Sequence, residues 1–238
     1  MDRPALSTRS QFWLGVTLFI PVAISIASYG VVWGVLAGQK GLSVLEVLLM
    51  SGLVFAGSSQ FVALDSWTPG ALPIASIVAA TAIVNLRMLL MSATLRPLMV
   101  GVSRPKALAA MFFVSDEQWA MTTAQMRTGG GSVAFLLGTG VLSWFSWVGS
   151  TLLGRVLGAF IDDPVKYGLD FAFTATFIAL LLGMWRGRTD LVPWLVGALA
   201  ALLTASLVPG KWYIIVGGIA GSLAGALVDQ WRAKNDVA

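Results

Sequence analysis

The stretch Leu53–Leu64 reads L-V-F-A-G-S-S-Q-F-V-A-L. Its centre, from Gly57 to Gln60, is small and polar, and apolar residues lie on both sides. In a chain this apolar, such a cluster predicts a break within a membrane helix. Lipid cannot hydrogen-bond a broken backbone, so the break persists only where protein or a watered cavity covers it. The stretch therefore predicts an interrupted membrane helix at a substrate path.

The composition of the whole chain supports a membrane location. Of 238 residues, 57% are hydrophobic and 11% are charged, with a mean hydropathy of +0.84; soluble domains have about 25% charged residues. A spanning helix needs roughly 20 apolar residues, so the chain has room for about six to eight segments. We expect an all-α polytopic membrane protein whose residues 1–238 form one transporter domain. Residues 1–11 would be a cytoplasmic N-terminus before a retained first helix, and residues 229–238 a C-terminal tail.

The residue types that are missing exclude several kinds of chemistry. The chain has no Cys and no His, which excludes disulfides, thiolate metal sites and catalysis by a Ser–His pair. We therefore expect no enzyme, no metal and no cofactor. The net charge of +4 fits Lys and Arg in the cytoplasmic loops of a membrane protein. No basic face is present to predict nucleic-acid binding.

Eight apolar segments divide the chain, and polar residues interrupt the second and the fourth. Their predicted bounds are Phe12–Gly38, Val44–Leu64, Ile74–Leu95, Ala107–Thr123, Val133–Phe160, Leu169–Trp185, Leu191–Val208 and Trp212–Val228. If all eight segments cross, Lys and Arg outside the segments divide equally between the two sides. If segments two and four are re-entrant, one side gains the excess that cytoplasmic loops usually carry. Both arrangements stay open: six full crossings with two re-entrant segments, or seven to eight crossings.

The helix that restarts after the first interruption predicts a substrate-binding site. A helix start presents free N–H groups and the positive end of the helix dipole, and transporters direct such ends at anionic substrate groups. Gly57, Ser58, Ser59 and Gln60 add small side chains, hydroxyls and an amide. The combination suits a carboxylate. The alternative is a close contact between helices, which small residues also favour.

Segment four contains adjacent carboxylates, Asp116 and Glu117. Each would cost about 2.5–3.5 kcal/mol at the centre of a membrane helix, so such groups are kept with a partner or a use. They could hold an ammonium group or carry a proton, because an apolar environment favours the neutral carboxyl group. The alternative is that they lie in water at a helix end.

Segment three contains Asn85 and Arg87, also predicted to bind substrate. Arg87 is the candidate counter-ion for the carboxylates, or it extends to the membrane interface. Residues two apart do not share a helix face, so we expect at most one of these two side chains to face the path. Trp144 and Trp147 are predicted to be packing residues.

Four stretches resemble one known family. They are G-L-S-V-L-E-V-L-L-M-S-G-L-V-F-A-G-S-S-Q-F (Gly41 to Phe61), I-V-N-L-R (Ile83 to Arg87), S-D-E (Ser115 to Glu117) and G-L-D-F-A (Gly168 to Ala172). Their order and spacing resemble the AzlC family, the large subunits of branched-chain amino-acid exporters. The resemblance covers nearly the whole chain, and F-A-G-S-S-Q-F followed by N-L-R is its most specific part.

The resemblance implies a multi-pass protein of the bacterial inner membrane that exports leucine, isoleucine, valine and similar neutral amino acids. It also implies a small membrane partner of the AzlD type and coupling to the proton gradient. Two residues depart from the family pattern. Met88 stands where His often follows N-L-R, so no proton relay through that His applies here, and Ser115 stands where Thr is common. The alternatives are a channel or permease for another small solute and an assembly subunit that does not transport.

Overall fold

The computed structural model describes residues 7–68, 70, 72–161, 166, 168, 171, 174–175, 178, 181–182, 185, 187–208 and 212–235. Within those residues the regular structure is helical, without strands. The α-helices are α1 (Thr8–Gln39), α2 (Val44–Leu49), α3 (Gly57–Asp65), α4 (Ile74–Thr94), α5 (Arg104–Phe112), α6 (Asp116–Arg127), α7 (Val133–Gly158), α8 (Leu191–Leu207) and α9 (Trp212–Asn235). A π-helical turn, Met50–Val54, continues α2, and short 3₁₀ turns cover Arg96–Met99 and Arg188–Asp190.

Five helices in the described part are long and apolar enough to cross a membrane: α1, α4, α7, α8 and α9. Many of their large apolar side chains are exposed, including Leu90 of α4 and Leu202 of α8. Apolar surface this extensive belongs against lipid, and the prediction of an all-helical membrane protein is confirmed. The predicted sixth segment, Leu169–Trp185, lies largely outside the described residues. The number of crossings and the re-entry of segments two and four stay predictions.

The chain divides into two compact units. Unit 1 comprises residues 1–72 and 84–172, and unit 2 comprises residues 73–83 and 173–238. The predicted site residues all belong to unit 1. That the whole chain is one transporter domain stays a prediction.

Unit 1 is built on a close contact between α1 and α7. A Cβ atom on Gly15 would lie 2.4 Å from the carbonyl oxygen of Phe135, and one on Gly34 would lie 2.1 Å from that of Thr151. Only glycine permits such an approach, in the manner of small-residue contacts between membrane helices. Later residues of α1 meet later residues of α7, so the two helices run parallel.

Contacts with the two ends of α7 show where α2 and α4 lie along its length. Leu42, just before α2, accepts a hydrogen bond from Arg155 Nε at 2.6 Å, which places the start of α2 beside the C-terminal end of α7. Leu95, just after α4, packs in a buried cluster with Ala110, Val114 and Leu136. Since Leu136 is in the first turn of α7, α4 runs towards the N-terminal end of α7 and is therefore antiparallel to it.

Unit 2 pairs α8 with α9 through glycines. A Cβ on Gly217 would lie 2.8 Å from that of Ala201, and one on Gly221 would lie 3.0 Å from the carbonyl oxygen of Pro193. The glycine spacing in the last segment therefore serves a contact within the chain. Helix α9 also continues to Asn235, so most of the predicted C-terminal tail is helical.

Candidate functional site

The break in the second segment lies just before the polar cluster. Phe55 has φ 42° and ψ 50°, the left-handed conformation, and α3 starts at Gly57. Residues 57–60 therefore form the first turn of α3. A left-handed conformation costs a non-glycine residue about 1–3 kcal/mol and persists only where its surroundings impose it. The Phe55 side chain is buried and stacks on Phe112 with ring centroids 6.2 Å apart, which helps to hold the break.

The first turn of α3 carries no side-chain cap. Its N-cap residue, Ala56, has no side-chain acceptor to offer, and the first N–H groups of any helix lack partners within it. Ser59 donates its hydroxyl to the Ala56 carbonyl oxygen at 2.8 Å, so it does not cap the N–H groups either. The start of α3 is a positive helix end free to receive an anion.

Arg87 joins this helix start to the carboxylates. Its Nη2 atom donates to Ser58 Oγ at 2.8 Å and lies 2.8 Å from Asp116 Oδ2. The side chains of Arg87 and Asp116 are 38% and 46% exposed, so protein encloses the ion pair only in part. The predicted pairing of Arg87 with a carboxylate is present, and Asp116 is the partner.

The expectation that at most one of Asn85 and Arg87 faces the path stays a prediction, but Asn85 also contacts the first turn of α3. Its Nδ2 atom donates to Ser59 Oγ at 3.3 Å, while Arg87 contacts the adjacent Ser58. Facing directions differ by about 200° for residues two apart on a helix. Both side chains nevertheless contact α3, Asn85 directly and Arg87 through its long side chain.

Gln60 is held by two protein partners. It is almost fully buried; its Oε1 atom accepts from Trp147 Nε1 at 2.8 Å and its Nε2 atom donates to Ser51 Oγ at 3.4 Å. Trp144 donates to the carbonyl oxygen of Gly52 at 3.0 Å. The two tryptophans, predicted to be packing residues, thus also fix the broken segment. A buried indole N–H needs an acceptor, and that requirement was the signal available in the sequence.

Glu117 faces a different partner from its neighbour. Its carboxylate accepts a hydrogen bond from Ser115 Oγ, whereas Asp116 pairs with Arg87. Both acids lie in the first turn of α6, where negative charge is favourable at the positive helix end. The alternative reading, acids at a helix end, describes their place in the helix. It does not account for the ion pair of Asp116 with Arg87.

Three site-proximal polar atoms are buried without a hydrogen-bond partner in the described part of the chain. They are Asn85 Oδ1, Arg87 Nε and Gln118 Nε2. Buried polar groups are nearly always paired, so orphaned ones call for water, an ion or a ligand. Two of the three belong to Asn85 and Arg87, which contact the start of α3. The junction of the first turn of α3 with Asn85, Arg87 and Asp116 is therefore the candidate substrate site.

The comparison with known proteins agrees with the geometry. The family described as AzlC protein matches residues 21–161. This range contains α1 to α7, except for the first turns of α1, and it contains all residues of the candidate site. The chain belongs to the AzlC family. The resemblance read from four short stretches is thereby confirmed. Asn85, Arg87, Asp116 and the first turn of α3 all lie within the AzlC region.

Three known proteins match this chain along most of their length. One, named an uncharacterized membrane protein of Archaeoglobus fulgidus, is 30% identical over 97% of this chain and 99% of its own. The branched-chain amino acid transport protein AzlC of Bacillus subtilis is 26% identical over 90% and 87%. The inner membrane protein YgaZ of Escherichia coli is 27% identical over 95% and 94%. No solved structure matches the chain.

Proposed function

We propose that this protein exports branched-chain (Leu, Ile, Val) or related neutral amino acids across a bacterial inner membrane, driven by the proton gradient, together with a small AzlD-type membrane subunit. The observation that carries the proposal is the contact of Arg87 with both Ser58 and Asp116 at 2.8 Å. A positive helix end, a cation and a carboxylate lie together there, within a membrane protein related to a branched-chain amino acid transport protein.

An amino acid without its water shell needs both of its charges satisfied. The α-carboxylate binds the free N–H groups of Gly57 and Ser58 together with the guanidinium of Arg87. The ammonium group binds the carboxylate of Asp116, which gives up its contact with Arg87 as substrate enters. The substrate therefore replaces one ion pair with two, and the site stays neutral overall.

The apolar side chain of the substrate needs shape and no polar partner. Apolar side chains near the junction are Phe55, Phe61 and Met88. Phe55 and Phe61 are buried and Met88 is partly buried. This apolar surrounding favours leucine, isoleucine and valine over amino acids with charged side chains. None of these three side chains offers an acceptor for a second ammonium or guanidinium group.

Proton coupling is assigned to Asp116. A protonated Asp116 releases both Arg87 and the substrate ammonium group, whereas an ionised one holds either. One side chain can therefore bind a proton and a substrate in turn, which is the requirement for exchange of the two. The proposal includes no enzymatic step: the chain has no His and no Cys to supply a nucleophile–base pair.

The test is efflux of preloaded labelled leucine from cells that express this chain, with and without the small subunit, before and after a protonophore. We expect efflux that requires both chains and stops when the gradient collapses. Efflux that persists without a gradient would identify a facilitator or channel. Absence of leucine efflux from cells in which both chains reach the membrane would reject the substrate class.

A further inference from the structure

The two broken segments of unit 1 share a sequence pattern. Phe55–Phe61 reads F-A-G-S-S-Q-F and Phe113–Trp119 reads F-V-S-D-E-Q-W. The first Phe and the Gln are identical, and an aromatic residue follows the Gln in both stretches. Gln60 and Gln118 are 1% and 0% exposed. Each stretch also contains the start of a new helix, α3 in one and α6 in the other.

The segments leading to the two breaks also correspond. Gly41-Leu42-Ser43 precedes α2, and Gly101-Val102-Ser103 precedes α5. Both glycines have positive φ, 83° and 79°, and both serines are N-cap residues in extended conformation. The first copy is slightly longer before its break, and the π-helical turn Met50–Val54 takes up the additional residues. A π turn is the usual form of a short insertion within a helix.

The two copies run in opposite directions. Helix α1 is parallel to α7, as shown by Gly15 against Phe135 and Gly34 against Thr151, and α4 is antiparallel to α7. The α2–α3 segment begins beside Arg155 at the C-terminal end of α7. The α5–α6 segment packs, through Ala110 and Met126, beside Leu136 at the N-terminal end. The first copy therefore starts beside the C-terminal end of α7, and the second packs at the N-terminal end, with Phe113 beside Gly140.

Corresponding residues of the two copies meet at one side chain. Alignment of the breaks pairs Ser58 with Asp116, and both contact the same Nη2 atom of Arg87 at 2.8 Å. Alignment of the preceding Gly-x-Ser turns pairs Arg87 with Ala27 of α1. One arginine thus serves both tips, as expected for a group close to an axis that relates them.

We propose that α1–α3 and α4–α6 are two copies of one motif in opposite membrane orientations, each a crossing helix followed by a broken re-entrant segment. The two tips, residues 55–58 and 113–116, meet at Arg87. Each tip forms the gate towards one face of the membrane. Inverted repeats with discontinuous helices at the midplane are a known basis for alternating access. The gating part rests on the proposed export, and the topology does not.

The parallel course of α1 and α7 limits the alternatives. After α1 crosses, the chain must return before α7 can start on the same side, and α4 supplies one return. Since α4 runs antiparallel to α1 and α7, one additional crossing on either side of α4 would make it parallel to them, so both broken segments re-enter. Lys and Arg favour re-entry. The helix starts, ends and turns at the N-terminal end of α7 carry Arg9, Arg96, Arg104, Lys106 and Arg127, against Lys40, Arg155 and, in the chain after α7, Lys166. That excess marks the cytoplasmic side.

The first experiment is labelling of single cysteines in intact cells with a membrane-impermeant maleimide. The natural chain has no Cys, so each variant carries one target. We expect Lys40→Cys and Thr68→Cys, which flank the first broken segment, to react from outside. Val100→Cys and Thr128→Cys, which flank the second, should react only after permeabilisation.

The outcomes separate the topologies. If the two cysteines of either flanking pair react from different sides of the membrane, the segment between them crosses and the repeat is rejected. All four positions on swapped sides would preserve the inverted repeat and reject only the orientation taken from the basic residues. None of these results depends on whether leucine is transported, so a failure of the export proposal would leave them interpretable.

The second experiment tests the gates at the aligned tip positions Ala56 and Val114, which are 8% and 6% exposed. We expect Ala56→Cys to react with a small water-soluble thiol reagent from outside and Val114→Cys from inside. Leucine should change the two rates in opposite directions by at least about threefold. Rates that change together, rates that leucine leaves unchanged, or a tip that reacts from the wrong face would overturn the gates, even where the flanking residues confirm the topology.

Discussion

Arg87 is the side chain on which the candidate site depends. It contacts a hydroxyl of one helix start and a carboxylate of another. A guanidinium group presents several donors in a fixed plane and can hold two such partners at once. The ammonium group of a lysine offers no matching fork. The two adjacent acids have different partners: Asp116 pairs with Arg87, and Glu117 accepts a hydrogen bond from Ser115.

The two adjacent carboxylates should therefore differ in a matched pair of variants. Asp116→Asn removes the charge that faces Arg87, and we expect leucine efflux to fall about tenfold or more, a loss of about 1.4 kcal/mol or more per transport step. Glu117→Gln keeps an acceptor for Ser115 and should retain most of the activity. Both proteins should reach the membrane at normal levels. Equal loss of efflux in the two variants, or loss in Glu117→Gln alone, would contradict the assignment of Asp116.

A milder change tests the hydroxyl of Ser58. In Ser58→Ala, Arg87 loses one hydrogen-bond partner worth roughly 1 kcal/mol, and the KM for leucine efflux should rise about fivefold. The maximal rate should change little, because Asp116, to which the ammonium group and the proton are assigned, is unchanged. Ser28→Ala is the matched control, since the Ser28 hydroxyl bonds only to the Ile24 carbonyl oxygen of its own helix. An unchanged KM for Ser58→Ala would remove Ser58 from the binding site.

At the scale of single elements, the structure rests on glycine contacts and on helix starts. Glycines of α1 and α7 allow two crossing helices to approach to backbone contact, and dispersion at that distance stabilises helices that gain nothing from apolar burial in lipid. The broken second segment is held differently. The N–H groups at the start of α3 have no side-chain cap. Hydrogen bonds from Trp144 to Gly52 and from Trp147 to Gln60 hold the surrounding turn.

Two glycines of α7 offer a direct test of this packing. A Cβ on Gly154 would lie 2.1 Å from the carbonyl oxygen of Val31, whereas one on Gly149 would have no atom within 4 Å. We expect Gly154→Ala to destabilise unit 1 by about 1–3 kcal/mol, the usual cost of overpacking. Its thermal unfolding in detergent, followed by tryptophan fluorescence, should shift to lower temperature. Gly149→Ala should unfold as the natural protein does, and equal shifts would show that the α1–α7 contact is not limiting.

At the scale of the whole molecule, charge decides orientation and apolar surface decides location. The five described helices long enough to span carry few charges and expose much apolar surface. Basic residues of unit 1 concentrate beside the N-terminal end of α7, and that end should therefore face the cytoplasm.

This orientation can be disturbed by removing charge. We expect Ser7→Cys, just before α1, to be protected from an impermeant maleimide in intact cells. Adding Arg104→Gln and Lys106→Gln should increase its labelling, because the charge bias that holds this end inside becomes smaller. Lys40→Gln, which removes charge from the opposite end, should leave Ser7→Cys protected. Strong labelling of Ser7→Cys in the otherwise natural chain would contradict a cytoplasmic N-terminus.

The sequence by itself determined the helical membrane class, the bounds of most helices and the family. Hydropathy, the lack of polar partners in lipid and the length of a span act locally, and short stretches therefore reveal them. It also singled out Gly57–Gln60, Asn85, Arg87 and Asp116–Glu117 as candidate site residues, because polar groups in apolar segments are costly enough to be informative.

Tertiary structure decided how those residues meet. The sequence placed the break within residues 57–60, whereas the backbone turns at Phe55, where the fold imposes a left-handed conformation. It did not predict that Asn85 and Arg87 would both contact the first turn of α3. It left Asp116 and Glu117 equivalent, and it did not reveal that Trp147 holds Gln60. These outcomes depend on side-chain reach and on contacts between residues up to 87 positions apart, which no local pattern encodes.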